Sequence, residues 1–457
     1  MQQLDTIAAI ITPPGEGGIS AIRLSGSRAV EIAEKIFTPK QPGKTLAGMK
    51  GYTAAFGTLH QNGTPLDEGI ALVFRAPKSY TGEDCVELSV HGGSFLIRQV
   101  LRAALQAGAR AAEGGEFTKR AYQNGKLDLA EAEAVMGLIH ATGSQALNIA
   151  TRNKSGAVSK KINQIIAGLL DLAAQIAVFS DYPEDDTLHL SQSDFAAGLQ
   201  TALQQLTLLI KHYDSGKYLT GGVNTVIVGS PNAGKSTLMN LLSGTERSIV
   251  TNIAGTTRDV IEQTVQLGNF TLHLADTAGI HKTGDTVEQL GIQAALNRLS
   301  TAELCLAVFD TARPLTADDK ALLQQVSKKN TLLVLNKTDL PAAESRAALK
   351  QSGLSFVEIS ALNGTGRQEL EQAIAKLLGT AALDPNAEIL GSERQYALVC
   401  RAKNAVDEAL TALQSGVTLD AVGVLTDEAL AALYELNGKK VTVEVANQVF
   451  KNFCVGK

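Results

Sequence analysis

The nonapeptide Gly229–Thr237, GSPNAGKST, entered from the apolar run Val226, Ile227 and Val228, most narrows what this chain can fold into. It fits the pattern G-x-x-x-x-G-K-[ST], with Gly229, Gly234, Lys235 and Ser236 at the fixed positions. Glycine there lets successive backbone N–H groups turn inward around a phosphate chain, which a Cβ would obstruct. Lys235 is then placed to put a point charge on the β- and γ-phosphates, and the Ser236 hydroxyl to ligate Mg²⁺. Alone, the pattern also fits an ordinary glycine-rich turn between a strand and a helix.

Four further signatures follow in order and remove that alternative. Thr251-Asn252-Ile253-Ala254-Gly255-Thr256-Thr257-Arg258-Asp259 precedes a strand-like run and resembles a switch I segment. Thr257 is its candidate second hydroxyl on Mg²⁺. Asp276-Thr277-Ala278-Gly279 ends a strand, with Asp276 expected to hold Mg²⁺ through water and the Gly279 N–H to face the γ-phosphate. Asn336-Lys337-Thr338-Asp339 ends another, and the Asp339 carboxylate can accept two hydrogen bonds from the N1–H and N2–H of guanine, which adenine cannot supply. Ser360-Ala361-Leu362 offers a backbone N–H to guanine O6. With Asn232, Ala233, Gly234, Lys235, Ser236 and Thr237 as the phosphate cradle, five motifs at successive strand ends predict a guanine-nucleotide-binding GTPase domain. The strand-like segments Val223–Val228, Val260–Val265, Thr271–Ala275, Leu304–Phe309, Thr331–Leu335 and Phe356–Ile359 make it a doubly wound, Ras-like α/β fold.

Many GTPases carry a water-positioning glutamine directly after the Asp-x-x-Gly turn; here that position is Ile280. An apolar side chain cannot orient water, and no nearby arginine is an obvious finger. The transition state still needs positive charge near the β- and γ-phosphates, which a monovalent cation could supply, with the side-chain carbonyl of Asn232 suitably placed.

The rest of the chain reads differently. Residues 1 to 118 are mixed α/β, with strands at Thr6–Thr12, Ile19–Leu24 and Val86–Val90 and a helix at Phe95–Leu105. Asp128 followed by Glu131 is a capping box opening a helix. Val158, Ile162, Ile165, Leu169, Leu172, Ile176 and Phe179 form a 4-3-4-3 seam, continued by Leu199, Leu203, Leu206 and Ile210; it suits the core of a helical bundle better than a dimer stripe. After the closing helix Gln368–Leu378 and a linker at Asp384–Asn386 the chain is helical again, so the nucleotide domain reads as an insertion. Four cysteines lie far apart with no CxxC pair, which points to a reducing compartment and against zinc or disulfides. No run of about 18 apolar residues and no basic leader is present, so neither a membrane span nor a signal peptide is expected. The net charge of −5 means that any RNA contact needs a local basic patch or a basic partner.

Beyond the nucleotide motifs, the segments DTIAAIITPPGEGGISAIRLSG, YTGEDCVELSVHGG, GEFTKRAYQNGKLDLAEAEAV and the terminal FCVGK span nearly the whole chain. With them the sequence resembles the MnmE (TrmE) family of bacterial tRNA-modification GTPases, of the TrmE-Era-EngA-like group. The resemblance implies a tetrahydrofolate-binding and dimerising domain at 1–118, a helical domain at 119–215 and 384–457, and a G domain at 216–383. It implies a K⁺-stimulated GTPase, a cytoplasmic homodimer without a membrane role, that pairs with the FAD-dependent MnmG (GidA) protein in a heterotetramer. The complex would modify C5 of the wobble uridine of certain tRNAs to an aminomethyl or carboxymethylaminomethyl form, using 5-formyltetrahydrofolate or a related one-carbon donor.

Carried over residue by residue, Asn232, Thr251, Ile253 and Thr256 become K⁺ ligands, and Ser236 and Thr257 Mg²⁺ ligands. Glu288 becomes the acid that orients the hydrolytic water indirectly, beside Lys235 and Gly279. Without the resemblance Glu288 would be a solvated helix-face residue. Arg23, Glu87, Lys126 and Lys457 match the folate positions; a carboxylate suits pterin donors and the cations suit a glutamate tail. Cys454, beside Phe453, is either a small buried hydrophobe or a residue needed for the modification. His91 reads as a structural hydrogen-bonding group at a strand end. The segment Leu436–Val443 departs from the family pattern. Two other readings remain: an Era-like ribosome-assembly GTPase, which would carry an appended basic RNA-binding domain, and a stand-alone folate enzyme.

Overall fold

The computed structural model describes residues 5–181, 192–244, 262–275, 302–326, 330–384, 386–451 and 453–457. They divide into two compact units, residues 1–136 with 430–457, and residues 137–429.

The first unit is built on a seven-stranded sheet. Its strands are β1 Ile7–Ile10, β2 Gly17–Ser25, β3 Phe37–Pro39, β4 Thr53–Gln61, β5 Thr64–Phe74, β6 Cys85–Gly92 and β7 Arg110–Ala111, in the spatial order β3-β4-β5-β6-β2-β1-β7. The helices Ala29–Ile36 and Ser94–Gln106 supply Ile32, Ala33, Val100 and Ala104 to a core shared with Ile22, Leu24, Val86 and Leu88 of the sheet. The long β4–β5 hairpin was not foreseen from the sequence. Its turn is Asn62-Gly63, at φ 51° and 81°, the left-handed pair that a two-residue hairpin turn demands. Alternation along β4 buries Ala55 and Leu59 and exposes Phe56.

The remainder of this unit is helical. Glu116–Gln123 and the start of Leu129–His140 pack against Val443–Lys451 through Leu129, Ala132, Val135, Phe450 and Phe453. The predicted capping box is present: the Asp128 N–H donates to Glu131 Oε2 at 2.9 Å, and the Glu131 N–H to Asp128 Oδ1 at 2.8 Å. The segment after Leu436 is tied down inside this unit, with the Tyr122 hydroxyl donating to the Gly438 carbonyl at 2.7 Å.

The second unit combines long helices with the nucleotide sheet. Helix Ala157–Asp181 buries Val158, Ile162, Ile165, Leu169, Leu172 and Ile176, the seam read from the sequence except for Phe179, whose side chain lies outside the described residues. Part of it, Ala157–Val178, is long and apolar enough on average to cross a membrane by length and composition alone, although Lys160, Lys161 and Asp171 interrupt it, so the expectation of no unbroken apolar run of that length stands. The seam nevertheless faces protein. Gly198 of the neighbouring helix Gln192–Thr220 sits against Leu172, where an added Cβ would fall 2.9 Å from the leucine methyls.

The sheet of this unit has strands β8 Val223–Val228, β9 Glu262–Leu267, β10 Phe270–Ala275, β11 Leu304–Asp310, β12 Thr331–Asn336 and β13 Ser355–Glu358. Their order is β13-β12-β11-β8-β10-β9, parallel except for the antiparallel edge strand β9. Every residue of β11 and β12 is buried, as expected when helices cover both faces of a parallel sheet. Side chains from the two faces enter separate cores, one around Leu306 and Leu332, the other around Phe309 and Leu335. The β8, β11 and β12 carboxyl ends therefore open on one edge, where a doubly wound sheet binds its ligand.

Candidate functional site: a phosphate loop, and an arginine–glutamate pair flanked by aromatic rings

The phosphate loop leaves β8 and enters helix Lys235–Ser243. Asn232 and Gly234 both have positive φ, 59° and 101°, so the loop turns its backbone inward at these two points. A Cβ on Gly234 would lie 2.1 Å from Asn336 Nδ2, which explains the glycine without reference to any ligand. Asn336 is the staple of the site. Its Nδ2 donates to the Ala233 carbonyl at 3.0 Å and its Oδ1 accepts the Ala361 N–H at 3.0 Å, joining the loop to both base-reading segments. The Lys235 ammonium folds over the loop and donates to the Gly229 and Ser230 carbonyls at 2.8 and 2.9 Å. Ser236 and Thr237 follow in the first helical turn.

The corner that would receive the base is equally ordered. The Ser360 hydroxyl donates to Asp339 Oδ1 at 2.5 Å, aiming a carboxylate that is otherwise exposed. Ser360 and Ala361 are buried while Leu362 is exposed. Lys337, at φ 65°, donates from Nζ to Asp310 Oδ2 at 2.7 Å.

Two acids here were not singled out from the sequence. Asp310 neutralises Lys337 from the end of β11. Asp319 accepts from the Ser230 hydroxyl at 2.5 Å and from Arg313 Nη1 at 2.7 Å. Burial alone would raise the Asp319 carboxyl; the bonds from Arg313, Ser230 and Thr316 hold it below the usual carboxylate range. Asp319 had a legible signal, because Thr316-x-x-Asp319 is a capping box: the Thr316 N–H donates to Asp319 Oδ2 at 2.9 Å and the Asp319 N–H to Thr316 Oγ1 at 3.2 Å. Thr251, Asn252, Ile253, Ala254, Gly255, Thr256, Thr257, Asp276, Thr277, Ala278, Gly279, Ile280 and Glu288 lie outside the described residues.

A second constellation stands in the first unit. Arg23 on β2 faces Glu87 on β6 across the ladder, and Arg23 Nε donates to Glu87 Oε1 at 2.8 Å. The guanidinium also lies 5.2 Å from the Tyr80 ring centre and 5.5 Å from that of Phe117. Both rings are held. The Tyr80 hydroxyl pairs with Thr118 at 2.8 Å, and burial pushes its phenol up. The Phe117 N–H donates to the Lys457 carbonyl at 3.1 Å, which ties the Cys454–Lys457 segment to this cluster. Lys126 donates from Nζ to the Pro77 carbonyl at 3.1 Å, on the loop that carries Tyr80. Thus the structure brings Arg23 and Glu87 together directly, the Lys126 ammonium to the loop that carries Tyr80, and the Lys457 backbone to Phe117.

An ionic chain centred on the buried Arg120 also anchors that loop. Glu83 accepts from Ser25 at 2.7 Å and from Arg120 at 3.2 Å, and Arg120 donates on to Asp5 at 2.8 Å. Arg120 is only 2% exposed, so this network fixes the loop and the preceding chain at high cost if cut. Cys454 is exposed rather than packed as a small hydrophobe, while its carbonyl accepts the Gly115 N–H at 3.2 Å. His91 is held by Asp67 at 2.9 Å, the structural role read for it.

Taken together, the doubly wound sheet, the phosphate loop and the stapled base corner are those of a P-loop GTPase. The model described as "GTP-binding protein TrmE N-terminus" matches residues 6–126, and that of the "MnmE helical domain" matches residues 129–454. Proteins named "tRNA modification GTPase MnmE" from Lactiplantibacillus plantarum and Roseiflexus are 40% and 39% identical, over 100% and 99% of this chain and 99% of each relative. The Geobacillus kaustophilus protein of that name is 39% identical over the full length of both. Among solved structures, Era from Aquifex aeolicus is 27% identical over 40% of this chain and 66% of its own, with a TM-score of 0.28. The chain belongs to the MnmE (TrmE) family of tRNA modification GTPases.

Proposed function

We propose that this protein is a K⁺-stimulated GTPase that, with a flavoprotein of the MnmG type, modifies C5 of the wobble uridine in certain tRNAs using a tetrahydrofolate one-carbon unit. The observation that carries the reading is the cluster of Arg23, Glu87, Tyr80 and Phe117, tied by a backbone hydrogen bond to Lys457, in a chain that also holds a phosphate loop. A paired cation and carboxylate against two aromatic rings suit a flat heterocycle that carries hydrogen-bond donors and a charged tail. Glu87 would accept from the pterin, and Arg23, Lys126 and Lys457 would meet the glutamate end. Bound there, the folate would supply the carbon that becomes the C5 substituent. Cys454, exposed on the same terminal segment, is a further candidate for the modification step.

We assign 1–118 to folate binding and dimerisation, 119–215 and 384–457 to the helical domain, and 216–383 to the G domain. Support for a homodimer comes from the cross-strand pair Phe56 and Ile70, both about half exposed on the open face of the first sheet. A cytoplasmic setting agrees with the far-separated free thiols.

For the nucleotide, Ser236 and Thr257 would hold Mg²⁺, and Asn232, Thr251, Ile253 and Thr256 would hold K⁺. Of these, Asn232 and Ser236 are described, and the left-handed Asn232 lies at the inward turn of the cradle. K⁺ would supply positive charge near the β- and γ-phosphates, where the sequence nearby offers no obvious arginine finger, and Glu288 would orient the water in place of the glutamine that Ile280 replaces.

Two experiments test this reading. GTP hydrolysis should be at least about tenfold faster in K⁺ than in Na⁺ at equal ionic strength, the size of effect that one transition-state charge contributes; equal rates would remove the cation from the mechanism. Arg23→Ala and Lys126→Ala should each weaken 5-formyltetrahydrofolate binding by about tenfold or more, as expected when a charged hydrogen bond is removed, with GTP hydrolysis retained. Calorimetric titrations matching the unsubstituted protein for both variants would eliminate the cluster as the folate site.

A further inference from the structure

The net charge of −5 leaves a question that neither site above answers: where a chain of this balance would meet an RNA backbone. We infer that a basic groove in the second unit, between the corner of two helices and the segment that leaves the nucleotide sheet, binds the phosphodiester backbone of tRNA. The inference rests on the proposed tRNA function and locates one of its contacts.

The groove has a volume of about 410 Å³ and is lined by Arg152, Ser155, Lys160, Lys161, Gln164 and Glu388, among others. Its shape follows from local geometry. Helix Ser144–Lys154 ends, Gly156 takes a positive φ of 82°, and helix Ala157–Asp181 begins at once. That corner folds Arg152 towards Lys160. On the second helix Lys160 and Lys161 stand four and three residues before Gln164, so all three share one face.

The floor is anchored. Asn153, buried, donates from Nδ2 to the Ile389 carbonyl at 2.9 Å, and His212 Nδ1 meets the Glu388 carbonyl at 3.2 Å. Arg152 donates to Asn386 Oδ1 at 3.0 Å and to the Asn386 carbonyl, which holds its guanidinium across the groove. By contrast, neither Lys160 nor Lys161 has a salt-bridge partner among the described residues, and Glu388 is the only carboxylate in the described lining. Three cations therefore face one acid in an open trough, with hydroxyl and amide groups between them.

Those donors are the kind that bind phosphate and sugar. Among the described residues no aromatic ring lines the groove, so it offers no platform for stacking a base. The chemistry suits a backbone interaction that positions an RNA without reading its sequence.

The test uses the full-length protein and fluorescently labelled unmodified tRNA, with affinity measured over a range of KCl concentrations. The double variant Lys160→Gln/Lys161→Gln should bind about ten- to hundredfold more weakly at low salt. Its slope of log affinity against log salt should be shallower by about two, one for each phosphate that a lysine no longer neutralises. Lys320→Gln, on a different helix, should change neither quantity. Glu388→Gln should act in the opposite direction and tighten binding, a readout that survives even if the double variant folds poorly. Unchanged affinity and slope in the double variant, with no gain in Glu388→Gln, overturn the groove assignment while leaving the tRNA function standing. Failure of the unsubstituted protein to bind tRNA overturns both. Loss of inorganic pyrophosphate binding at unchanged tRNA affinity would make the occupant a small phosphorylated molecule and overturn the RNA assignment.

Discussion

Asp339→Asn should convert this GTPase into one that prefers xanthosine triphosphate. Guanine would present N1–H and the N2 amino group to the Asp339 carboxylate, two hydrogen bonds to a charged acceptor, each worth about 1.5–3 kcal/mol. An asparagine keeps one acceptor but turns an NH₂ group towards the N2 amino group, setting donor against donor. GTP affinity should therefore fall by roughly 10²–10⁴-fold. Xanthine carries a carbonyl where guanine carries that amino group, so the new amide donor meets an acceptor and affinity returns. The structure makes this a clean substitution. Ser360 Oγ donates to Asp339 Oδ1 at 2.5 Å, and an asparagine Oδ1 accepts the same bond, so the side chain keeps its aim. The carboxylate itself is exposed and contributes little to folding, whereas Asn336, three residues earlier, is buried and holds the loop. Competition of GTP and xanthosine triphosphate against a fluorescent guanine nucleotide reads the outcome; an unaltered preference would show that the base is read elsewhere.

The nucleotide corner was the most legible part of the molecule, and the reason is local. Its residues sit at the ends of buried parallel strands, where continuous apolar runs announce the strand and the next few polar residues must be the loop. Val223–Val228 was read with the observed bounds, and Thr331–Leu335 is one residue short of Thr331–Asn336. What escaped was the wiring between motifs. Asp310 meets Lys337 from a separate strand, and no spacing rule links residues 27 apart. The first unit was less legible for a different reason. Its long hairpin is solvated on one face, so Phe56 and Ile70 break the apolar pattern just where β4 and β5 pair. The Asn62-Gly63 turn was nonetheless in plain view. The folate positions came from family likeness alone. Tyr80 and Phe117, the rings that flank Arg23, follow from the crossing of segments far apart in sequence, and that crossing is invisible until the chain is folded.

Gly456→Ala should disable the Arg23 cluster without removing a single group that would touch the folate. The chain end arrives by an unusual route. Val455 bridges Gly114, Gly456 turns with φ 98°, and the Lys457 carbonyl accepts the Phe117 N–H. An alanine Cβ at 456 would fall 2.4 Å from the Ile10 carbonyl oxygen and 3.3 Å from Ile11 Cα. Neither is a side-chain tip that can swing aside. Ile10 is the last residue of β1, a strand paired on both edges, so the tail must yield. The left-handed backbone adds its own strain for any residue with a Cβ, on the order of 1–3 kcal/mol. Together these exceed the one backbone hydrogen bond, about 1 kcal/mol, that Phe117 lends the tail. Once the Lys457 carbonyl departs, the Phe117 N–H loses its acceptor and the Phe117 end of the Arg23 sandwich loosens. Binding of 5-formyltetrahydrofolate should then drop by about tenfold or more, since a charged hydrogen bond is worth about 1.5–3 kcal/mol. GTP hydrolysis, housed in the other unit, should continue at its former rate. Val455→Ala, at an exposed position with ordinary backbone, is the matched control and should bind folate normally. If Gly456→Ala binds folate as tightly as that control, the tail is a bystander and the cluster is complete without it.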